Sequence, residues 1–227
     1  MNIFARLKRA LQKGGFIMGT DKGRLVIFTS YTPGAGKTYT MVKRAIEDYD
    51  NPKVALINDE HRDIEKLLDD YGIDDIDIDE YSIKELLAEK PDVVVLDEMG
   101  MYGFNTDYAC YVYQDITTLI DAGIDVYTSA NLKRFDGANK YFAEITGIRV
   151  KRRIPDDYLE QAEKIVFVDR DPKLMEKDFK AGKLFTQKHM KSKIMKKNFK
   201  LKTLNAYRDV SKKFLETYKG KLEIVER

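Results

Sequence analysis

An apolar, β-branched run, Leu25-Val-Ile-Phe-Thr29, leads through Ser30, Tyr31 and Thr32 into Pro33-Gly-Ala-Gly-Lys-Thr38, and a helical pattern (Tyr39, Met41, Val42, Arg44, Ala45, Ile46) follows at once. Strand, glycine-rich loop and helix in that order are the context of a phosphate-binding loop. Gly34 and Gly36 let the backbone curl so that its N–H groups converge on an anion. The N-terminus of the helix adds partial positive charge. Lys37 can reach the β- and γ-phosphates of a nucleotide, and the Thr38 hydroxyl can bind Mg²⁺. Pro33, Gly34, Ala35, Gly36, Lys37, Thr38 and Tyr39 are therefore candidate nucleotide-binding residues. One letter departs from G-x-x-x-x-G-K-[ST]: the first glycine is replaced by Tyr31. A ring there either covers a nucleotide or blocks it.

A second motif strengthens the first. Asp92-Val-Val-Val-Leu-Asp-Glu98 places four apolar residues ahead of two acids, the pattern of a buried parallel strand with carboxylates at its C-terminal tip. This is a Walker B arrangement. Asp97 would hold Mg²⁺ beside Thr38, and Glu98 is placed to orient or deprotonate an attacking water, with Lys37 as its catalytic partner. A further strand, Ile124-Asp-Val-Tyr-Thr-Ser-Ala130, ends at Asn131. A polar residue at that tip can sense a γ-phosphate, and an Asn can also simply make a turn.

Composition sets the bounds. The chain has 227 residues, 43% of them apolar, enough for one α/β domain with an appendage. A single cysteine, Cys110, excludes a disulfide framework and suits a reducing cytoplasm. The two histidines, His61 and His189, are too far apart in sequence to read as a metal pair. No apolar run reaches the roughly 18–20 residues that span a bilayer, and no secretory signal is visible.

Between the motifs, helices are expected over about 38–48, 60–71 and 107–121, and strands over 53–58 and 162–169. The polar group Asp59-Glu60-His61-Arg62 follows the second strand, where it could line a ligand crevice or cap a helix. The acidic alternation over 72–81 reads as a half-exposed strand rather than a metal site. Ser82 is a helix cap. Arg149-Val-Lys-Arg-Arg153 is a solvated basic face or a source of an arginine for a triphosphate; without aromatic interleaving it gives no nucleic-acid signal.

Residues 1–20 form a basic amphipathic segment (Ile3, Phe4, Leu7, Leu11 on one face) that would either dock on its own domain or contact a membrane surface peripherally. Residues 21–185 are read as the nucleotide-binding domain. Over residues 186–227 thirteen Lys/Arg face four Asp/Glu, while the whole chain is only +2, so the remainder is net acidic. The stripe Leu204, Tyr207, Val210, Ser211, Phe214 points to a packed helical extension.

The chain resembles the N-terminal cytoplasmic domain of the osmosensitive potassium-channel sensor histidine kinases (the KdpD family). The resemblance rests on Ser30 to Tyr39, Pro91 to Glu98, Tyr113-Gln-Asp115, Leu119 to Asn131, Ile145 to Val150, Ile154-Pro-Asp156 and Gly182-Lys183. It implies a domain that binds ATP and acts in sensing within a potassium-responsive two-component system, with a protein partner in that signalling. This chain departs from the family at Ser30 and Tyr31, at Met101 and at Lys133-Arg134, where the family has histidine or glutamine-histidine at the last two places. A chain with no transmembrane bundle, phosphoacceptor helix or histidine-kinase ATP lid is not expected to be a self-sufficient histidine kinase.

The expected fold is a three-layer α/β, P-loop NTPase-like domain with a mainly parallel sheet and a C-terminal helical extension. The expected function is Mg-ATP binding with weak or no hydrolysis in a cytoplasmic regulatory module. Two alternatives stand beside it: a phosphotransferase acting on a protein side chain, and a partner-binding module with a vestigial nucleotide site. No nucleic acid partner is expected.

Overall fold

The structure is a computed structural model in which residues 22–56, 62–76, 82–101, 112–147, 149–185 and 190–227 are described. Six strands, β1 (Leu25–Ser30), β2 (Pro52–Ala55), β3 (Val93–Leu96), β4 (Asp125–Asn131), β5 (Lys164–Asp169) and β6 (Leu222–Glu226), form one sheet in the order β2-β3-β4-β1-β5-β6. Every neighbouring pair runs parallel. Parallel sheets need both faces covered, and their strands accordingly read as continuous apolar runs. All six residues of β1 are buried, as are all four of β3.

Side-chain alternation along the strands divides the core in two. Leu25, Ile27, Val94, Leu96, Val126, Ile165 and Phe167 point to one face; Val26, Phe28, Val93, Val95, Tyr127 and Val166 point to the other. The second face is covered by α1 (Lys37–Asp48), through Met41, Val42 and Ala45, and by α2 (Arg62–Tyr71), through Ile64 and Leu68. The first face is covered by Leu86 of α3 (Ile83–Glu89), by Ile116 and Leu119 of α4 (Val112–Asp121), by Phe142 of α5 (Asp136–Thr146) and by Leu159 of α6 (Asp157–Gln161). Met175 and Phe179 of α7 (Pro172–Lys180) complete that layer. The result is the three-layer α/β arrangement the sequence leads one to expect.

Local signals behave as their chemistry requires. Ser82 and Glu85 form a reciprocal capping box on α3, Asp171 caps α7 with Pro172 in its first turn, and Gly123 leaves α4 at φ 84°. Of the acidic stretch 72–81, only Asp75 makes a bridge, to Val54, and residues 77–81 lie outside the described residues. The same holds for residues 1–20, Asp59 to His61, Cys110 and His189.

The basic extension is more than helical. It contains α8 (Lys193–Asn198) and α9 (Leu201–Leu215), and α9 sends Leu204, Tyr207 and Leu215 into the core of the first face. Phe199, between them, stacks on Phe179 with ring centroids 4.5 Å apart. After a 3₁₀ turn, Glu216–Tyr218, the chain adds β6 to the sheet edge, pairing Ile165 with Leu222 and Asp169 with Glu226. Five residues are too few for their alternation to stand out in a lysine-rich segment, so the strand was not legible in sequence. Its consequence is local: it carries Arg227 to the loop between β1 and α1. Among the described residues, no helix is long and apolar enough to cross a membrane.

Candidate functional site

The loop between β1 and α1 starts from buried Ser30 and Tyr31 and closes on Lys37. Gly34 and Gly36 sit at φ 79° and 92°, the left-handed region where a side chain is strained. Ala35 beneath them is fully buried and Pro33 half-buried. Lys37 opens α1 and is only 5% exposed. Its ammonium donates to Asn131 Oδ1 at 3.4 Å. Among the described residues no carboxylate lies within ion-pair distance of it, an unusual condition for a buried cation.

Two hydrogen-bonded branches connect the site. In the first, the Thr38 hydroxyl donates to Asp97 Oδ1 at 3.1 Å, and Ser129 Oγ donates to the same oxygen at 2.6 Å. In the second, Asn131 accepts a hydrogen bond from Lys37 at its Oδ1 and donates from Nδ2 to Glu98 Oε1 at 3.3 Å. The branches meet at Ser129, whose hydroxyl accepts from Glu98 N at 3.2 Å and whose carbonyl accepts from Met99 N at 2.9 Å. These bonds hold Glu98 at φ 48°, a left-handed conformation that costs a non-glycine residue roughly 1–2 kcal/mol. All of these groups lie at the C-terminal ends of β1, β3 and β4, where open α/β sheets form their ligand crevice.

The electrostatics set three cationic side chains near two carboxylates. Burial pushes the Glu98 carboxyl above the usual carboxylate range, opposed by Lys37 and reinforced by Asp97. Arg134 Nε lies 3.6 Å from Glu98 Oε2, yet this buried nitrogen has no hydrogen-bond partner among the described residues. Burial pushes the Lys133 ammonium down, and the neighbouring Arg134 and Lys37 push the same way. Lys37, Lys133 and Arg134 thus converge on a pair of carboxylates.

The residues expected from sequence fall into two groups. Lys37, Thr38, Asp97, Glu98 and Asn131 are brought into one network. Tyr39 is not part of it: its ring lies under the Arg227 guanidinium, 4.4 Å away. Tyr31 neither covers nor obstructs the loop. Its ring is 1% exposed and its hydroxyl donates to the Arg170 carbonyl at 2.6 Å, so it braces the loop from below. Arg152 and Arg153 of the basic patch contact Met101 and Asp136, not the loop.

Four site residues escape sequence reasoning. Ser129 is hidden inside an apolar strand. Arg134 follows the tip of β4, Arg170 follows the tip of β5 and donates to Gly34 O at 3.2 Å, and Arg227 donates to Gly36 O at 3.0 Å. The three arginines share a position shortly after a strand end, which becomes informative only once the strand order is known.

The chemistry of the donor set fits a polyphosphate with a divalent cation. A buried ammonium with no ion-paired carboxylate and a buried guanidinium nitrogen with no hydrogen-bond partner, both among the described residues, would meet the anion together with a loop of left-handed glycines, and the oxygens of Thr38 and Asp97 would meet a hard cation. Among the described residues there is no cluster of three or more acidic, His or Cys side chains that would hold a metal by itself.

Comparison with known proteins bears on the same residues. Residues 21–217 match the model of the family described as the osmosensitive K+ channel His kinase sensor domain. The chain is 28% identical over 186 residues to the "Sensor protein KdpD" of Clostridium acetobutylicum, covering 75% of this chain and 20% of that protein. It is 25% identical over 202 residues to the "Putative sensor protein KdpD" of Synechocystis sp., covering 84% of this chain and 54% of that protein. The chain therefore spans about a fifth of the first relative and about half of the second. Among solved structures, a thymidylate kinase from Candida albicans aligns with a TM-score of 0.40 and 12% identity over 90% of this chain and 84% of that one, a likeness too distant to bear on substrate.

Proposed function

We propose that this chain, which belongs to the osmosensitive K+ channel His kinase sensor domain family, is a cytoplasmic module that binds Mg-ATP and reports nucleotide state to a protein partner in potassium signalling. The observation that carries the reading is the buried Lys37 ammonium, which opens α1 behind a left-handed glycine loop with no ion-paired carboxylate among the described residues. A triphosphate is the ligand that would compensate such a charge.

In this reading the loop N–H groups and Lys37 hold the β- and γ-phosphates. Thr38 and Asp97 hold Mg²⁺, and Ser129 keeps the Asp97 oxygen turned toward Thr38. When bound, Mg²⁺ would neutralise phosphate charge and fix the geometry of the phosphate tail. Asn131 bridges Lys37 and Glu98 and is placed to register a γ-phosphate between them. Glu98 is engaged by Asn131 and lies beside Arg134, with its carboxyl raised. A base so occupied is suited to slow hydrolysis or none.

The test is ATP binding to the wild type and to Asp97→Asn over a Mg²⁺ titration. Mg²⁺ should tighten binding to the wild type at least tenfold, and Asp97→Asn should remove most of that gain. A Mg²⁺-independent affinity would contradict the metal assignment. Transfer of γ-phosphate label to a partner side chain, lost in Glu98→Gln, would make the module a phosphotransferase instead.

A further inference from the structure

A cleft of about 590 Å³ opens beyond the C-terminal ends of β5 and β6, lined among others by Asp171, Pro172, Asn205, Arg208, Glu226 and Arg227. It lies within the range of roughly 300–1,000 Å³ that small-ligand clefts occupy. Arg227 connects it to the phosphate loop. Arg227 lines the cleft, donates to the carbonyl of Gly36 and lies 4.4 Å over the ring of Tyr39, the residue that follows Lys37-Thr38. The approach to Gly36 is so close that a Cβ there would come within 1.9 Å of the guanidinium.

The cleft has fixed walls and unengaged polar groups. Asp169, with a fully buried side chain, accepts from Nε and one Nη of Arg208 and from the Lys212 ammonium. Asp171 is committed as the cap of α7. The Asn205 amide and the Glu226 carboxylate, by contrast, have no side-chain partner among the described residues. An amide offers a donor and an acceptor side by side, the pattern of a nucleobase edge. A carboxylate accepts from sugar hydroxyls, and a guanidinium plane is a surface on which a base stacks.

The geometry points to this cleft as the subsite for the base and ribose of the nucleotide, with Arg227 as the stacking platform and Asn205 and Glu226 as the polar contacts. The proposal rests on the reading of the loop as the phosphate site and deepens it. The phosphate tail lies on Gly34 to Thr38, and the nucleoside turns past Tyr39 toward β5 and β6. The chain would thus recognise a nucleoside triphosphate through two separable surfaces, one for phosphate and one for nucleoside.

Calorimetric titration of the 227-residue chain with Mg-ATP and with Mg-tripolyphosphate separates them. Wild type should bind ATP at least tenfold more tightly than tripolyphosphate. Arg227→Ala, which also removes a bond to the Gly36 carbonyl, should weaken ATP at least fivefold more than it weakens tripolyphosphate. Asn205→Ala, on the exposed face of α9, should weaken ATP alone by a smaller factor. Equal wild-type affinities for the two ligands, or an Arg227→Ala that weakens both alike or neither, would overturn the nucleoside subsite while leaving the phosphate site standing. Failure of the wild type to bind either ligand would overturn both.

Discussion

The Thr38 hydroxyl donates to the carboxylate of Asp97 at 3.1 Å, although β1 and β3, the strands that present them, are separated in the sheet by β4. The contact closes because Thr38 lies in the first turn of α1 after the loop from β1, Asp97 stands just past the end of β3, and β4 supplies Ser129 beside them. Ser129 Oγ donates to the same Asp97 oxygen at 2.6 Å and accepts from Glu98 N at 3.2 Å. Two motifs far apart in sequence are joined through a serine belonging to neither.

Ser129→Ala should therefore cost more than an ordinary serine. It leaves the buried Glu98 N–H and one Asp97 oxygen short of a partner, a loss of about 1–3 kcal/mol. It should also blunt the Mg²⁺ dependence of ATP binding without abolishing binding. Denaturant midpoints and a Mg²⁺ titration of ATP affinity check the two halves.

Glu98 carries a pH dependence whose sign follows from burial. Its folded carboxyl is raised above the unfolded value, so the unfolded chain releases that proton first. Its contribution to stability is present below the ordinary glutamate range, about 4.3, and is lost as pH rises through the raised folded value. Wild type should lose stability relative to Glu98→Gln between pH 4.5 and pH 8. Paired denaturation curves at the two pH values measure it; a constant difference would contradict the assignment.

Asp169 has the opposite sign. Burial favours its neutral form, but Arg208 and Lys212 outweigh that and hold the carboxyl below its usual range. Its contribution is present above the unfolded aspartate value, about 3.9, and is lost as pH falls through the depressed folded value. Asp169→Asn should destabilise the fold at pH 7 by about 3 kcal/mol, since it leaves two cations against a buried amide. The gap between wild type and variant should narrow by pH 3.

Tyr31 is a structural brace. Tyr31→Phe removes its bond to the Arg170 carbonyl and should cost about 1 kcal/mol with ATP affinity unchanged. Tyr31→Ala empties a fully buried ring position and should cost about 3–5 kcal/mol. A Tyr31→Phe protein with altered ATP affinity but unaltered stability would place the ring in the nucleotide path after all.

Sequence legibility tracked the range of the interactions. Gly36-Lys37-Thr38 and Asp97-Glu98 announce themselves because each motif is one strand end and the residues directly after it, so local spacing contains the geometry. Asn131 was visible for the same reason. Arg134, Arg170 and Arg227 were not, because they approach the site from three separate segments, Arg134 beside Glu98 and the other two on the loop carbonyls, and only the order β4-β1-β5-β6 brings them together. Tyr31 was misleading in a different way. The motif position suggests a ring above the loop, whereas the bend after β1 turns it into the apolar core, where burial of an aromatic ring outweighs exposure. The final strand was hidden by composition: a lysine-rich segment reads as helix or tail until a partner edge, here β5, is available.

The central claim is that the buried Lys37 ammonium awaits a triphosphate. Its most direct test is the dissociation constant for Mg-ATP measured by calorimetry on wild type and Lys37→Ala at equal Mg²⁺. The account predicts saturable 1:1 binding to the wild type and a loss of at least a hundredfold in Lys37→Ala, the worth of one buried charge-assisted contact of about 3 kcal/mol. Equal affinities in the two proteins, or no ATP binding by the wild type, would contradict it.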